Sequence, residues 1–327
     1  MKIIVMKFGG SSLAEPEKIK IMAERTASAR RRGFAVAMVV SAPADLTDDL
    51  LTLSKLLTDN PGRREQDALL AAGEQISAAL TAMALAGQGA QAVSLSGAQA
   101  GIRTDARHTD AEILAVRPRR VLKELRKGRI AVVAGFQGVT TSGDLTTLGR
   151  GGSDLTAVAL TRALKAGVCE LYTDVQGIYT ANPAVVPRAK KLRRISYDSV
   201  MELARSGTEV RQFRAVAYAK KHSIPLRLRS SFESDEGTLV GDFGAVRARS
   251  EVICFSIRKS GDSAELHLIG AGLDAPRVRE AVRAAAAAGG DPLRKESYLP
   301  GKAVIVTAFR HGEPLLKALH RIFIECH

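Results

Sequence analysis

Short, β-branched apolar runs recur at 3–6, 35–40, 91–95, 130–134 and 170–173, and longer stretches between them repeat apolar residues with the helical period. This alternation predicts an α/β fold. The runs read as strands of a mainly parallel sheet buried on both faces, and 17–31, 66–86 and 153–165 read as helices that cover it. Ligands of such sheets sit beyond the carboxyl ends of the strands, so the loops after these runs are where chemistry is expected.

Around 233–244 the segment ESDEGTLVGDFG replaces the periodic pattern with acids and turn formers. A boundary placed there gives a catalytic domain over 1–240 and a smaller α+β domain over 241–327. In the latter, strands are expected at 252–258, 265–270 and 303–309. Helices are expected at 276–288, preceded by Asp274 and stopped by Gly289-Gly290, and at 313–323. This second part repeats no catalytic motif, so regulation or oligomerisation is its expected role.

Charge adds a question rather than an answer. A net charge of +14 and a pI near 10 would suit nucleic acid, a phosphate-rich ligand or a solvated basic surface. The basic clusters at 29–33, 117–129 and 188–194 carry no interleaved aromatic residues, and there is no Trp to stack on bases, so a nucleic-acid partner is not expected. MKIIVMKFGG lacks the long apolar run and cleavage site of a signal peptide. No later stretch reads as apolar for long enough to span a bilayer, so no membrane is expected and the location is taken as cytoplasmic. Cys169, Cys254 and Cys326 are far apart and fit no metal-ligand spacing; no protein metal site is expected.

Four segments can carry chemistry. The first strand runs into Lys7-Phe8-Gly9-Gly10-Ser11-Ser12 before a helix. Paired glycines let backbone approach an anion closely, and Lys7 adds a point charge; a plain tight turn is the competing reading. Gly149-Arg150-Gly151-Gly152-Ser153-Asp154 also opens a helix, and its Arg150 is a planar carboxylate binder. Asp154 could simply cap that helix. Glu74 places a carboxylate inside an apolar helix, a costly burial unless a cation, such as a substrate ammonium, accompanies it. Thr173, Asp174 and Tyr179, in YTDVQGIY, could bound a nucleotide pocket or form an ordinary strand exit.

Taken together and in order, these segments resemble the aspartate kinases of the amino acid kinase superfamily. KFGGSS (7–12), VVSAPADLTDDL (39–50), AAGEQIS (71–77), AVSLSGAQAGIRTD (92–105), VVAGFQG (132–138), TTLGRGGSDLTAVAL (146–160), YTDVQGIYTANP (172–183) and LRLRSSF (226–232) carry the resemblance. GEQIS and GRGGSD are its specific elements and set it apart from acetylglutamate, glutamate 5- and uridylate kinases. AELHLIGAGLDAPRVREAV (264–282) and LLKALHRIFIE (315–325) are similar to the last ACT domain of that family. The span between Val240 and Glu265 is too short for the first member of the usual ACT pair.

The resemblance implies a three-layer α/β/α kinase domain with a shortened ACT-like domain, using ATP and Mg²⁺ to phosphorylate the β-carboxylate of L-aspartate. It implies Arg150 on the substrate α-carboxylate and Glu74 on its ammonium. Ser41, Thr47 and Ser153 would position the substrate, Asp154 would order the site, and Lys7 would lie between β-carboxylate and γ-phosphoryl. Gly9, Gly10, Ser11, Thr173, Asp174 and Tyr179 would hold the nucleotide. A homodimer or higher homo-oligomer is implied as well. Two positions depart from the family pattern: Ala184 stands where it has an arginine, and Glu209 where it has a phosphate-facing lysine. They leave a second reading, an aspartate-binding, ATP-impaired partner subunit, with Arg188 or Arg211 as compensating cations.

Overall fold

A computed structural model describes residues 1–207, 213–243 and 251–326. Glu209 and Arg211 lie outside the described residues. In chain order come β1 (Ile3–Phe8), α1 (Pro16–Arg31), β2 (Ala35–Val40), α2 (Leu46–Leu57), α3 (Arg63–Gly87), β3 (Ala92–Leu95), β4 (Ile102–Thr104) and β5 (Ile113–Val116). Then follow α4 (Arg119–Arg126), β6 (Ile130–Ala134), β7 (Gln137–Val139), β8 (Leu145–Thr147), α5 (Gly152–Leu164), β9 (Cys169–Thr173), β10 (Arg194–Ser196), α6 (Tyr197–Arg205) and α7 (Phe213–Lys221). The chain continues through β11 (Leu226–Ser230), β12 (Thr238–Gly241), β13 (Glu251–Ser260), β14 (Ser263–Ala271), α8 (Pro276–Ala288), β15 (Lys295–Leu299), β16 (Lys302–Ala308) and α9 (Phe309–His320).

These elements form two compact units, Met1–Gln176 with Arg214–Leu239, and Gly177–Phe213 with Val240–His327. The sequence boundary at 240/241 falls beside one junction. The segment 177–213, which the sequence groups with the catalytic domain, clusters with the second unit. Its Ala181 and Val186 are buried in that unit's core, and Thr180 O accepts a 2.8 Å hydrogen bond from Phe255 N.

In the first unit, β11, β9, β1, β2, β6 and β3 run parallel in that order. Because side chains alternate along a strand, Ile4, Met6 and Phe8, Val36, Met38 and Val40, and Ile130, Val132 and Ala134 share one face. Buried residues of α1 and α3, including Met22, Ala23, Ala78 and Leu85, close over it. The alternate residues of β1, including Lys7, turn to the other face, where α5 packs. This is a three-layer α/β/α arrangement with a mainly parallel sheet. A second small sheet, β5-β4-β7-β8, carries residues 102–147.

The core helix α3 corrects one expectation. It is long and apolar enough to cross a membrane by length and composition, although nearly half of its most apolar stretch is buried inside the protein. It packs on α1, β3, β6 and β8 and buries Asp67 and Glu74, as a core helix does.

The second unit is an α+β, ACT-like module: an antiparallel sheet in the order β13-β14-β16-β15, with α8 and α9 burying Val278, Val282, Leu315 and Leu319 against Leu266, Leu268 and Ile305. The helix expected at 313–323 begins earlier, at Phe309, and its α-helical part ends at His320. Pro314 lies inside this helix.

Candidate active site

Three parallel strands of the first unit, β1, β2 and β9, end at loops that carry sequence-predicted groups. β1 gives way at Gly9 to a single 3₁₀ turn, Gly10–Leu13, rather than directly to a helix. Gly10 has to be glycine, because a β-carbon there would lie 2.8 Å from Ala42 O. A β-carbon on Gly9 would meet no such obstruction and would stand 3.7 Å from Lys7 Nζ. Its absence therefore leaves an open cradle beside an ammonium, which suits a phosphoryl group. Ser11 is exposed at the same turn.

Lys7 is the polar exception in a strand otherwise buried. Only 7% of it is accessible, and its Nζ lies 2.7 Å from Asp154 Oδ1, itself on a residue 6% exposed. Strand parity sends Lys7 toward α5, and the first turn of α5 presents Asp154 to it. The expected capping role is thus corrected: Asp154 makes no cap hydrogen bond, and Gly151, left-handed at φ 74, occupies the N-cap position. The pair sets an amino group at a strand end, near where an anion would arrive.

Glu74 lies next to a close approach of α3 to the loop after β2, where a β-carbon on Gly73 would stand 2.8 Å from Ala42 Cβ. Its Oε1 accepts the Ala42 N–H at 2.9 Å, while Oε2 has no hydrogen-bond partner among the described residues. Burial pushes the carboxyl up to about 7, against the lowering effects of backbone hydrogen bonds and the Lys7 charge. A half-satisfied buried carboxylate near neutrality is a ready acceptor for an ammonium. Ser41 and Thr47 are half-buried, in the loop after β2 and in α2; Ser41 N donates to Phe8 O at 3.2 Å.

The second glycine loop follows β8. Gly149 and Gly151 are both left-handed, at φ 70 and 74. Gly135 leaves room for the buried Ser153, because a β-carbon at Gly135 would come within 2.8 Å of Ser153 Cβ. Arg150 is exposed, and its side chain has no ion pair or hydrogen bond among the described residues. On β9, Thr173 Oγ1 accepts the Val175 N–H at 3.2 Å, an ordinary strand-exit turn with Asp174 exposed in it. Thr173 and Asp174 belong to the first unit, whereas Tyr179 belongs to the second.

The first unit therefore brings Lys7 and Asp154 into contact and sets Glu74 within electrostatic reach of Lys7. Two concavities of about 460 and 350 Å³ are lined by residues of the second unit, such as Arg283, Leu293 and His311, and hold none of these groups. Buried charge, rather than concavity, identifies the site. The sequence missed the residues that brace it. Gln137 donates to Ala71 O at 2.8 Å and accepts the Gly97 N–H, and Arg214 Nη1 donates to Leu148 O and Asp110 Oδ1. Neither sits in a motif with a readable purpose. Among the described residues no group of three or more His, Cys, Asp or Glu could hold a metal ion.

The fold and these strand-end charges are of the amino acid kinase type. The Amino acid kinase family model matches residues 2–230, and the chain belongs to that family. It is 50% identical over 241 residues to an aspartokinase of Corynebacterium glutamicum, covering 73% of this chain and 57% of that one. It is 49% identical over 240 residues to an aspartokinase of Geobacillus stearothermophilus, covering 73% and 59%. The matched stretch thus spans less than two-thirds of these curated relatives. Among solved structures, aspartate kinase from Synechocystis is similar with a TM-score of 0.67 and 29% identity, over 98% of this chain and 69% of that one. Aspartokinase III of E. coli, in complex with aspartate and ADP, shares the fold with a TM-score of 0.78 at 22% identity, over 98% of this chain and 99% of that one.

Proposed function

We propose that the protein is an aspartate kinase, transferring the γ-phosphoryl group of MgATP to the β-carboxylate of L-aspartate to give 4-phospho-L-aspartate. The observation that carries this reading is the orphaned, buried Oε2 of Glu74 in electrostatic range of the Lys7–Asp154 pair. An amino-acid ammonium would satisfy the first, and Lys7 would stabilise a carboxylate meeting a phosphoryl group. The similarity to aspartokinases over 73% of this chain supports the same reading.

In this reading Arg150 binds the α-carboxylate and Glu74 the α-ammonium, with Ser41, Thr47 and Ser153 positioning the substrate. Gly9, Gly10 and Ser11 present backbone to the phosphates, and Thr173, Asp174 and Tyr179 contribute to nucleotide binding. The open cradle at Gly9 fits a phosphate oxygen, and Mg²⁺, held mainly by phosphates and water, needs no dedicated cluster of protein ligands. Bound to the phosphates, the metal would neutralise charge. The nucleophile is already an anion at neutral pH, so the chain's task is alignment: Lys7 offsets the repulsion between carboxylate and phosphoryl, and Asp154 holds Lys7 in place. Three free cysteines and the use of ATP fit a cytoplasmic enzyme. A homodimer is proposed as well. Leu53, Leu56 and Leu57 of α2 and Ile76, Leu80 and Met83 of α3 are exposed, an apolar face suited to a second copy, and a solution mass of one chain would remove that proposal.

Trapping the acyl phosphate with hydroxylamine tests the reading. Aspartyl hydroxamate that depends on MgATP, is lost in Lys7→Ala and needs far more L-aspartate in Arg150→Ala supports it. L-Aspartate binding without product or MgATP binding would instead favour the ATP-impaired partner subunit. That alternative is motivated by Ala184, whose N–H donates to Asn182 Oδ1, and by Glu209; Arg188, one of the compensating cations, is engaged with Glu325 at 3.1 Å.

A further inference from the structure

α3 carries a second buried carboxylate, which the catalytic reading leaves without a role. Asp67 precedes Glu74 by seven residues, two turns, and so lies about 10 Å away along the same side of the helix. It is fully buried, and both of its oxygens are engaged. Thr109 N lies 3.1 Å from each, His108 Nδ1 lies 2.7 Å from Oδ2, and the Thr147 hydroxyl donates to Oδ1. A carboxylate only accepts, so His108 Nδ1 carries its hydrogen toward Asp67, and all three neighbours act as donors.

Those donors converge on one loop. Thr147 ends β8, two residues before Gly149. Thr109 sits in the left-handed region at φ 74, a conformation that a threonine adopts only when held. The two stretches are laced together, because Ala111 N donates to Thr147 O at 2.9 Å and Arg214 bridges Asp110 and Leu148 O. Gly149 is pressed against them so closely that a β-carbon would lie 2.6 Å from Asp110 Oδ1 and 3.2 Å from Thr109 O. Arg150 comes next, exposed and without a hydrogen bond or ion pair among the described residues.

We propose that Asp67 is a positioning residue for the substrate carboxylate. Through Thr109 and Thr147 it sets the loop that presents Arg150, and α3 thereby fixes the separation between Arg150 and Glu74. The proposal deepens the aspartate kinase reading and rests on it for the roles of those two residues. Asp67→Asn keeps the shape but places an NH₂ donor where an oxygen accepts, so the three donors can no longer all be served. Thr147→Val removes one donor and keeps the volume.

Steady-state kinetics and amide hydrogen exchange on the full-length wild type, Asp67→Asn, Thr147→Val, Arg150→Ala and Asp67→Asn/Arg150→Ala decide the matter. Asp67→Asn is expected to raise KM for L-aspartate about tenfold and Thr147→Val to raise it less, with KM for MgATP and kcat held within about threefold. In the Arg150→Ala background Asp67→Asn should add nothing. Exchange should quicken at 105–112 and 147–152 and stay unchanged at 9–13 and 41–45. An unchanged KM for L-aspartate, a parallel rise in KM for MgATP, effects that add to Arg150→Ala, or exchange that rises everywhere would each overturn the proposal. A wild type that makes no hydroxamate would bring down the kinase reading instead. Exchange then still decides the loop clamp, which stands if the change is local and falls if there is none.

Discussion

Asp67 and Glu74 are the same kind of group on the same side of one helix, two turns apart, and they are equipped differently. Asp67 has donors on both oxygens, whereas Glu74 has one on Oε1 and none on Oε2. Burial alone therefore does not mark a ligand site. A buried carboxylate whose acceptors are filled by its own chain is a structural clamp; one left half-filled carries a desolvation cost that a cationic ligand can relieve. For Glu74 burial raises the carboxyl to about 7, more than its backbone hydrogen bonds and the Lys7 charge lower it.

The largest expected effect concerns Lys7, which lies outside the pair but gives Glu74 its setting. Lys7→Ala should lower kcat/KM for phosphoryl transfer by on the order of a thousandfold or more, since it removes the charge between two anions and leaves Asp154 buried without its partner. The hydroxamate assay reads this, and a loss below tenfold would refute a catalytic role. Arg150→Ala should follow, raising KM for L-aspartate roughly a hundredfold, as expected for a lost charge-assisted bidentate contact, while leaving the melting temperature nearly unchanged because Arg150 is exposed.

Stability then tests the comparison itself. Asp67→Ala strands an imidazole, an amide and a hydroxyl, and should destabilise the apoprotein by roughly 3 kcal/mol in denaturant titrations. Glu74→Gln should behave oppositely, in a pH-dependent way. The Glu74 carboxyl is raised from 4.5 to about 7, so the folded protein holds this proton more tightly than the unfolded chain does. The stability linked to it is fully present below pH 4.5 and is lost as pH rises through 7. Glu74→Gln removes that loss and should make the apoprotein more stable than wild type at pH 8, by up to about 3 kcal/mol, with no such gain near pH 4.5. Equal destabilisation of both variants at every pH would break the distinction between clamp and ligand site.

The smallest effect is the most specific. An ammonium at Oε2 favours the ionised carboxylate, so L-aspartate binding should release close to one proton at pH 6, about half at pH 7 and almost none above pH 8. Calorimetry in buffers of different ionisation enthalpy measures this, and Glu74→Gln should abolish it. Proton uptake, or release that does not vary with pH, would assign the ammonium elsewhere.

Much of this site was legible without coordinates. Lys7, Glu74 and Arg150 each broke a local pattern, as a charge at a buried strand end, a carboxylate in an apolar helix and an arginine among glycines, and such exceptions can be seen in one dimension. Asp154 was legible as important but not as to its task, because a helix-opening aspartate looks alike whether it caps or faces a lysine from another element. Asp67 showed no sign at all, since near the start of an amphipathic helix it resembles any acidic first-turn residue. The short strands β4, β5 and β7 were missed for a related reason: three or four residues are too few for a period, and their pairing comes from distant partners.

The sequence by itself determined the α/β alternation, the glycine-rich strand ends and the chemical types gathered there, because hydrophobic period and backbone freedom are properties of neighbouring residues. Tertiary structure decided which charges meet: that strand parity turns Lys7 toward Asp154, that the acceptors of Asp67 are filled and those of Glu74 are not, and that 177–213 packs with the second unit. Satisfaction of a buried polar group depends on donors brought in from elsewhere along the chain, and only packing brings them there.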